Sequence, residues 1–408
     1  MKNKHRTIPY IWLAGLSMLG FMATDMYLPA FEVIRQELVT SEQMIGWTLT
    51  LFLLGMAGGQ LLYGPLINRF GMKITLCSGL VLFSVGSAVC GLANSVEVLL
   101  IGRFLQALGA CGATVIWQSY VIEKYEARVS QRIFATIMPL VALSPALAPL
   151  VGAALESQFG WQTIFYTLIM IGIGLIVRSS AMDFSPQYSK EEQGIQSTRS
   201  APYFIKQYGD ILASKIFTGS MIIYASCSAA FFAWLTGSPF IMHNMGYSGA
   251  DIGLSYVPQT IAFIIGGYGC RALLNRYEPQ QILPWLLKLF ILSVITLLLV
   301  ALRTTPTSII PLLIPMCFMA AANGAIYPLV ANSALAEFKS SSASASGLLN
   351  FLQMMFCVMA SGMVSALSGY GSIAMTGVMA VQAVLVCAGY ALIMAERKSQ
   401  KDMQVDLY

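Results

Sequence analysis

Twelve apolar stretches of roughly 20 residues or more follow one another along this chain, most of them separated by short polar joints. They run approximately over 8–31, 44–66, 74–93, 97–121, 131–153, 161–179, 216–242, 251–273, 281–301, 307–330, 341–366 and 371–394. A helix needs about 20 apolar residues to cross a bilayer, and in lipid each spanning segment must satisfy its own backbone. The pattern therefore predicts an all-α membrane protein. Only 10% of residues are charged and 57% are hydrophobic, with a mean hydropathy of +0.71, against about 25% charged in an average soluble domain. That balance excludes extracellular scaffolds, nucleic-acid binders and ordinary cytosolic enzymes.

The one long polar stretch, 180–214, divides the segments six and six. This predicts a first half over 1–179, a linker over 180–214, and a second half over 215–408 with a short tail. If the N-terminus and the even-numbered joints share one side, that side collects nineteen Lys and Arg residues and the other only Arg35 and Arg303. The bias favours both termini in the cytoplasm and an even number of spans. An internal echo supports duplication: Leu66-Ile67-Asn68-Arg69-Phe70 follows segment 2, and Leu273-Leu274-Asn275-Arg276-Tyr277 follows segment 8. The N-terminal MKNKHR and its apolar run resemble a signal peptide, but no A-x-A site follows, so a retained first span is expected.

Ionisable groups inside the segments are few, and each needs a reason. Asp25 is the one carboxylate deep in an apolar segment. Its charged form is costly away from water, which makes it a candidate proton carrier. Pro29 has no N–H to offer the Asp25 carbonyl, so the helix should kink or unwind there; broken backbone at depth suits a water-lined cavity. The plainer alternative is a hydrated aspartate at a helix end. Arg103, early in segment 4, stays charged and must find a carboxylate or carbonyls. The two residues could meet at similar depth and gate proton access, or Arg103 could snorkel to the surface.

Segment 5 carries Pro139, Pro145 and Pro149, too many for a plain helix, and Ser144, Ala148 and Gly152 form a small-residue stripe that admits a close neighbour. A moving interface and a static kinked helix both fit. Polar and aromatic residues that could line a neutral pocket for a flat or lipophilic substrate are scattered over six segments. Tyr27 is on the first, Trp117 and Gln118 on the fourth, and Tyr224, Ser228 and Trp234 on the seventh. Tyr256 and Gln259 follow on the eighth, Asn323 and Tyr327 on the tenth, Asn350 and Gln353 on the eleventh.

Enzyme signatures such as G-x-x-x-x-G-K-[ST], H-E-x-x-H and G-x-S-x-G are absent, and only His5 and His243 are histidines. The eight cysteines have no C-x-x-C spacing and read as packing residues. No enzyme activity, metal or organic cofactor is expected.

Several phrases together resemble the major facilitator superfamily, and within it the Bcr/CflA-type drug/proton antiporters. Thr24-Asp25-Met26-Tyr27-Leu28-Pro29 is similar to a phrase of that family's first helix. Gly64-Pro65-Leu66-Ile67-Asn68-Arg69-Phe70-Gly71-Met72-Lys73 resembles its loop signature G-x-L-[SA]-D-R-x-G-R-[KR], and Arg103, Gln106 and Gly109 resemble its R-x-x-Q-G-x-G pattern. Segment 5 resembles its proline/glycine antiporter motif, with Ser144-Pro145 for Gly-Pro. The resemblance implies two six-helix pseudo-repeats, a monomer in the bacterial inner membrane, small-molecule substrates exchanged against protons, and coupling roles for Asp25 and Arg103. It also implies conformational roles for Pro29, Gly64, Asn68, Arg69, Gly71, Lys73, Gly109 and the segment 5 prolines with Gly152. The signature's aspartate is here Asn68, which can hydrogen-bond but supplies no charge, so that latch should be weaker or built elsewhere. The phrase FFAWLTGSPFI…MGYS…IGLSYVPQTIAF is similar to an enterobacterial subgroup associated with purine nucleoside transport, which makes nucleoside uptake or exchange the alternative within the class.

Overall fold

The computed structural model describes residues 9–184, 208–303, 308–338 and 342–405. Most of the expected linker lies outside the described residues, as do the side chains of Asn68 and Pro139. Among the described residues there is no strand. The helices are α1 (Tyr10–Asp25), α2 (Phe31–Glu37), α3 (Glu42–Phe70), α4 (Met72–Gly91), α5 (Val96–Lys124), α6 (Ala127–Phe159) and α7 (Gln162–Ser180). After the linker come α8 (Lys215–Asn244), α9 (Gly249–Leu273), α10 (Pro279–Arg303), α11 (Ile310–Ala336), α12 (Ser342–Ala366) and α13 (Gly371–Val405). α1 fills the first apolar segment and α2 continues beyond its end at residue 31, so each of the twelve segments has its helix.

Ten of these helical stretches are long and apolar enough to cross a membrane, and the bent α6 makes an eleventh. Between Arg132–Met138 and Leu143–Phe159 that helix turns by 42°, the distortion its prolines foretell. Hydrophobicity all round a helix says little about where it ends, and local chemistry sets the ends instead. Ser41, Ser95, Ser214 and Ser248 each accept a backbone N–H at the start of α3, α5, α8 and α9. Gly71, at φ +80°, turns α3 sharply into α4, a conformation that side chains with a Cβ avoid.

The two halves pack the same helix pairs. In the first, α3 packs on α5, α1 on α6 and α4 on α7; in the second, α9 packs on α11, α8 on α12 and α10 on α13. The halves meet through α3 with α12 and α6 with α9, pairs that exchange when the halves are swapped. This is the pairing expected of a duplicated six-helix unit, and the repeated L-[IL]-N-R-[FY] phrase lies at equivalent ends of α3 and α9. Large apolar side chains such as Ile74, Val177, Trp285 and Leu302 project from the outside of the bundle, where lipid rather than water suits them.

Contacts between the halves gather toward the end that holds α2. Phe31 packs on Phe240 at 5.4 Å, and the Thr50 hydroxyl lies 2.8 Å from that of Ser361, which Thr236 of the same half also holds at 2.9 Å. The Pro29 and Pro149 carbonyls face Gly249 and Gly253. The opposite end carries Trp12, Lys73, Lys124 and Lys215, each bonded within its own half. The bundle is closed at the α2 end.

Candidate functional site

The site starts with a broken helix. The Met26 N–H still closes on the Met22 carbonyl, but α1 stops at Asp25 and the chain continues through a 3-10 turn, Leu28–Ala30, into α2. Pro29, buried in that turn, removes the N–H that the Asp25 carbonyl would have taken. The next carbonyl after Met22, that of Ala23, accepts instead from Arg103 Nη1 at 2.9 Å. Gly152 of α6 abuts the Met26 carbonyl so closely that a Cβ there would collide with it. The small-residue stripe thus lets α6 lie directly against the break.

Arg103 is fully buried. Its Nη1 also bonds the Gln106 Oε1 at 2.6 Å, and Gln106 Nε2 passes the chain on to Ser87 Oγ at 2.9 Å. Its guanidinium lies between two rings, 4.6 Å from the Tyr27 centroid and 4.3 Å from that of Phe52. Desolvated cation–π contacts of this kind contribute about 2 kcal/mol each. The guanidinium Nε and Nη2 are buried and have no hydrogen-bond partner, so the charge rests on π faces, one backbone carbonyl and one side-chain amide oxygen rather than on an anion.

Asp25 and Arg103 do stand at similar depth, but they do not pair. Arg103 touches Ala23 and Tyr27, four residues apart and therefore on one face of the α1 line, whereas Asp25 points elsewhere. The turn that follows Asp25 meets α9 of the other half, where the Pro29 carbonyl faces Gly249, and the Asp25 Oδ2 is buried without a hydrogen-bond partner. The expected gating contact is thus replaced by two separate arrangements: Arg103 inside the first half, and Asp25 at the seam between halves. Tyr256 of α9 shares a hydrogen bond of 3.1 Å with Ser238 of α8.

The residues proposed to line a pocket divide three ways. Tyr224, Ser228, Tyr327 and Gln353 converge: Gln353 Nε2 donates to Ser228 Oγ at 2.8 Å, Ser228 Oγ lies 3.2 Å from the Tyr327 hydroxyl, and the two tyrosine rings meet edge-on at 5.2 Å. Asn323 joins them by donating to the Cys227 carbonyl at 3.3 Å, leaving its buried Oδ1 unpartnered. Phe263 closes the group, 5.9 Å from the Tyr327 ring. Trp234, Tyr256 and Gln259 are buried along α8 and α9, with the Trp234 Nε1 and the Gln259 Oε1 unpartnered. Asn350 is half-buried on α12.

Tyr27, Trp117 and Gln118 are elsewhere. Tyr27 is sealed in the first half, bonded to Thr48 at 3.0 Å and stacked on Phe31 and Phe165. Trp117 packs on Phe134 of α6, and Gln118 is exposed. A helix presents aromatic and amide groups in all directions, and no hydrogen bond or ring contact joins these three to the converging cluster among the described residues.

Among the conformational candidates, Gly109 lies against the Phe83 backbone of α4, with no room for a Cβ. Pro149 is buried against α9, while Pro145 is half-buried. In the joint after α3, Lys73 donates to the Ser180 carbonyl at the end of α7 at 2.7 Å, and Arg69 lies exposed over the Phe70 ring. Gly64 is exposed and open, with nothing within 4 Å of where its Cβ would be, so close approach is not its reason. The Thr50–Ser361–Thr236 bridge and the contact between Glu32 and His243 were not visible beforehand. Hydroxyls scattered in apolar helices usually satisfy themselves on the preceding turn, and a partner 311 residues away leaves no local mark.

Known proteins agree with this architecture. The Major Facilitator Superfamily profile matches residues 13–361. The MFS-type transporter YdgK of Bacillus subtilis is 29% identical over 269 residues, covering 65% of this chain and 66% of that protein. The multidrug transporter MdfA of Yersinia pestis is 27% identical over 268 residues, 65% and 64% of the two chains. A bicyclomycin resistance protein homolog of Haemophilus influenzae is 30% identical over 196 residues, 48% and 49%. The matched region thus spans less than two thirds of each of these relatives. Among solved structures, an inward-facing bacterial homolog of the human lysosomal transporter Spinster superposes with a TM-score of 0.76 at 16% identity, over 98% of this chain and 99% of that one. A D-xylose–proton symporter gives 0.71 at 16% identity, over 92% and 96%; at such identity the likeness is one of fold. With a twelve-helix bundle, two matched halves and a profile match over most of its length, the chain belongs to the major facilitator superfamily, whose members are transporters rather than enzymes.

Proposed function

We propose that this chain is a proton-coupled secondary transporter that moves small organic molecules across the bacterial inner membrane by alternating access, as a monomer with both termini in the cytoplasm. Bcr/CflA-type drug/proton antiport is the reading we favour. The observation that carries it is Asp25: a buried carboxyl group beside a broken helix, at the seam between halves, with one oxygen free of any partner. Such an oxygen is an open position for a proton. Its setting at the seam lets the proton's presence bear on how the halves fit together. The bias of basic residues makes the α2 end the outer one, so the bundle is closed outward and the halves rock about the midplane to open it. Relatives described as multidrug and bicyclomycin resistance proteins support the substrate class.

A second reading, nucleoside uptake or exchange, draws on the converging cluster of the second half. α11 and α12 contain no charged residue, and their amides and tyrosines offer ring faces beside donors and acceptors. Proteoliposomes with an imposed pH gradient test both readings, with nucleosides assayed beside cationic and neutral drugs. Gradient-driven drug movement without nucleoside movement supports antiport of drugs; the reverse supports the nucleoside reading. Movement of neither class under a gradient overturns the proposal.

A further inference from the structure

One contact between the halves is ionic. Glu32, on the short helix α2, has a side chain only 7% exposed, and three hydrogen bonds and one longer ionic contact converge on its carboxylate. Arg35 Nε donates to Oε2 at 2.8 Å and Arg35 Nη2 to Oε1 at 2.5 Å, while Gln36 Nε2 donates to Oε1 at 2.7 Å. The fourth is His243 Nε2, 3.5 Å from Oε1 and carried by the last turn of α8 in the opposite half. Arg35 and Gln36 move with Glu32 because they share its helix. His243 is therefore the member of the cluster that separation of the halves removes.

We propose that Glu32 and His243 form a proton-operated clasp on the α2 end of the transporter, holding that end shut when His243 is protonated and releasing it when the ring is neutral. The inference rests on the alternating-access reading, since a clasp needs an end that opens. The physical argument concerns what opening costs. With His243 neutral, separating the halves leaves Glu32 compensated by Arg35 and Gln36, so little is lost. With His243 charged, separation also breaks a charge-assisted contact with a shielded carboxylate, a stronger interaction than its neutral counterpart. Imidazole is the side chain whose charge a change of pH most readily switches.

The other charged groups around His243 leave this logic intact. α2 presents Glu32 and Arg35, while its Glu37 accepts from Trp161 Nε1 at 2.7 Å; the start of α3 brings Glu42, and α6 brings Glu156, whose Oε2 lies 3.5 Å from where a Gly249 Cβ would be. In the α8–α9 joint, the Tyr247 hydroxyl lies 3.4 Å from that of Ser308. Asp251 is committed to capping α9, accepting from the Ser248 backbone and hydroxyl at 3.0 and 2.6 Å. Tyr370, in the turn before α13, is exposed. The break at Pro29 gives the device its location, because without it α1 would run on and α2 would not be set across the mouth.

Distance measurements between spin labels read the clasp directly. Gln43→Cys and Ala250→Cys place labels on exposed positions at this end, one in each half, with Cys77, Cys317 and Cys387 replaced by serine because the remaining cysteines are buried. An Asp25→Asn, Glu156→Gln background removes the carboxyl groups of the first half that stand near this seam from the comparison. Between pH 8 and pH 5.5 the ratio of short to long distances should rise about three- to fivefold in the His243 protein. It should stay flat in His243→Gln, and His243→Arg should hold the short distance at both pH values. The same pH response in His243→Gln, or no response with His243 in place, would overturn the clasp. Failure of the transporter reading looks different: the distances would still respond to pH while no solute moved under a gradient.

Discussion

In the first half of the bundle the buried polar site is built around a full charge, whereas in the second half the equivalent space holds neutral groups. Arg103 is gripped by two rings and a freed backbone carbonyl on the α1–α5 contact. Its counterpart helix, α11, offers Asn323 and Tyr327, tied to α8 and α12 through amide and hydroxyl hydrogen bonds. The helix pairings are the same on both sides, so the backbone scaffold does not dictate this difference. Duplicated halves can keep a common way of packing while one specialises in charge and the other in neutral recognition. Asp25 lies on the first half, just before the turn that meets the second.

If packing is shared and polar chemistry is not, substitutions should sort accordingly. The largest effect is expected where both halves are tightest. Gly109→Leu drives a side chain into the Phe83 backbone, and Gly324→Leu does the same against the Phe263 carbonyl. Overpacking costs typically about 1–3 kcal/mol and more when backbone must shift. Both variants should lose most folded protein on size-exclusion chromatography in detergent; survival of one alone would mean that the halves are not packed alike. Next comes Arg103→Met, which keeps bulk between the rings but removes the charge. Transport should fall about tenfold or more, the rate equivalent of one charge-assisted hydrogen bond, and Arg103→Lys should fail to restore it because an ammonium cannot stack as a guanidinium does. The smallest change belongs to the neutral side. Gln353→Ala removes one hydrogen bond to Ser228 and should raise the half-saturating substrate concentration by about three- to tenfold. Its pH dependence should match that of the unaltered protein. A shifted pH profile in Gln353→Ala would break the division of labour between the halves.

Much of this was legible in the residues. The spacing of apolar segments gave the bundle, Pro29 marked the break in α1, and Gly152 within its small-residue stripe anticipated a close neighbour, because each acts through the backbone of its own segment. What could not be read was which way a side chain faces once helices pack. Asp25 and Arg103 were expected to meet, yet Arg103 lies against Ala23 and Tyr27 instead, and two residues of difference along α1 turns a side chain to the opposite side. Tyr27 and Trp117 are aromatic like Tyr327 yet serve as packing, and Gln118 is exposed. The Glu32–His243 contact joins residues 211 positions apart, and neither residue stands out in a polar joint. Asn68 shows the converse: the loop signature makes it conspicuous, while the cross-half contacts named above lie at the other end of the bundle.

The central claim is that Asp25 carries the coupled proton, and the most direct test follows substrate movement in proteoliposomes containing Asp25→Asn. Exchange of labelled for unlabelled substrate without a gradient should persist, since the fold and the neutral cluster are untouched. Accumulation driven by an imposed pH gradient should disappear, together with the pH dependence of the rate. Gradient-driven accumulation equal to that of the unaltered protein would contradict the account.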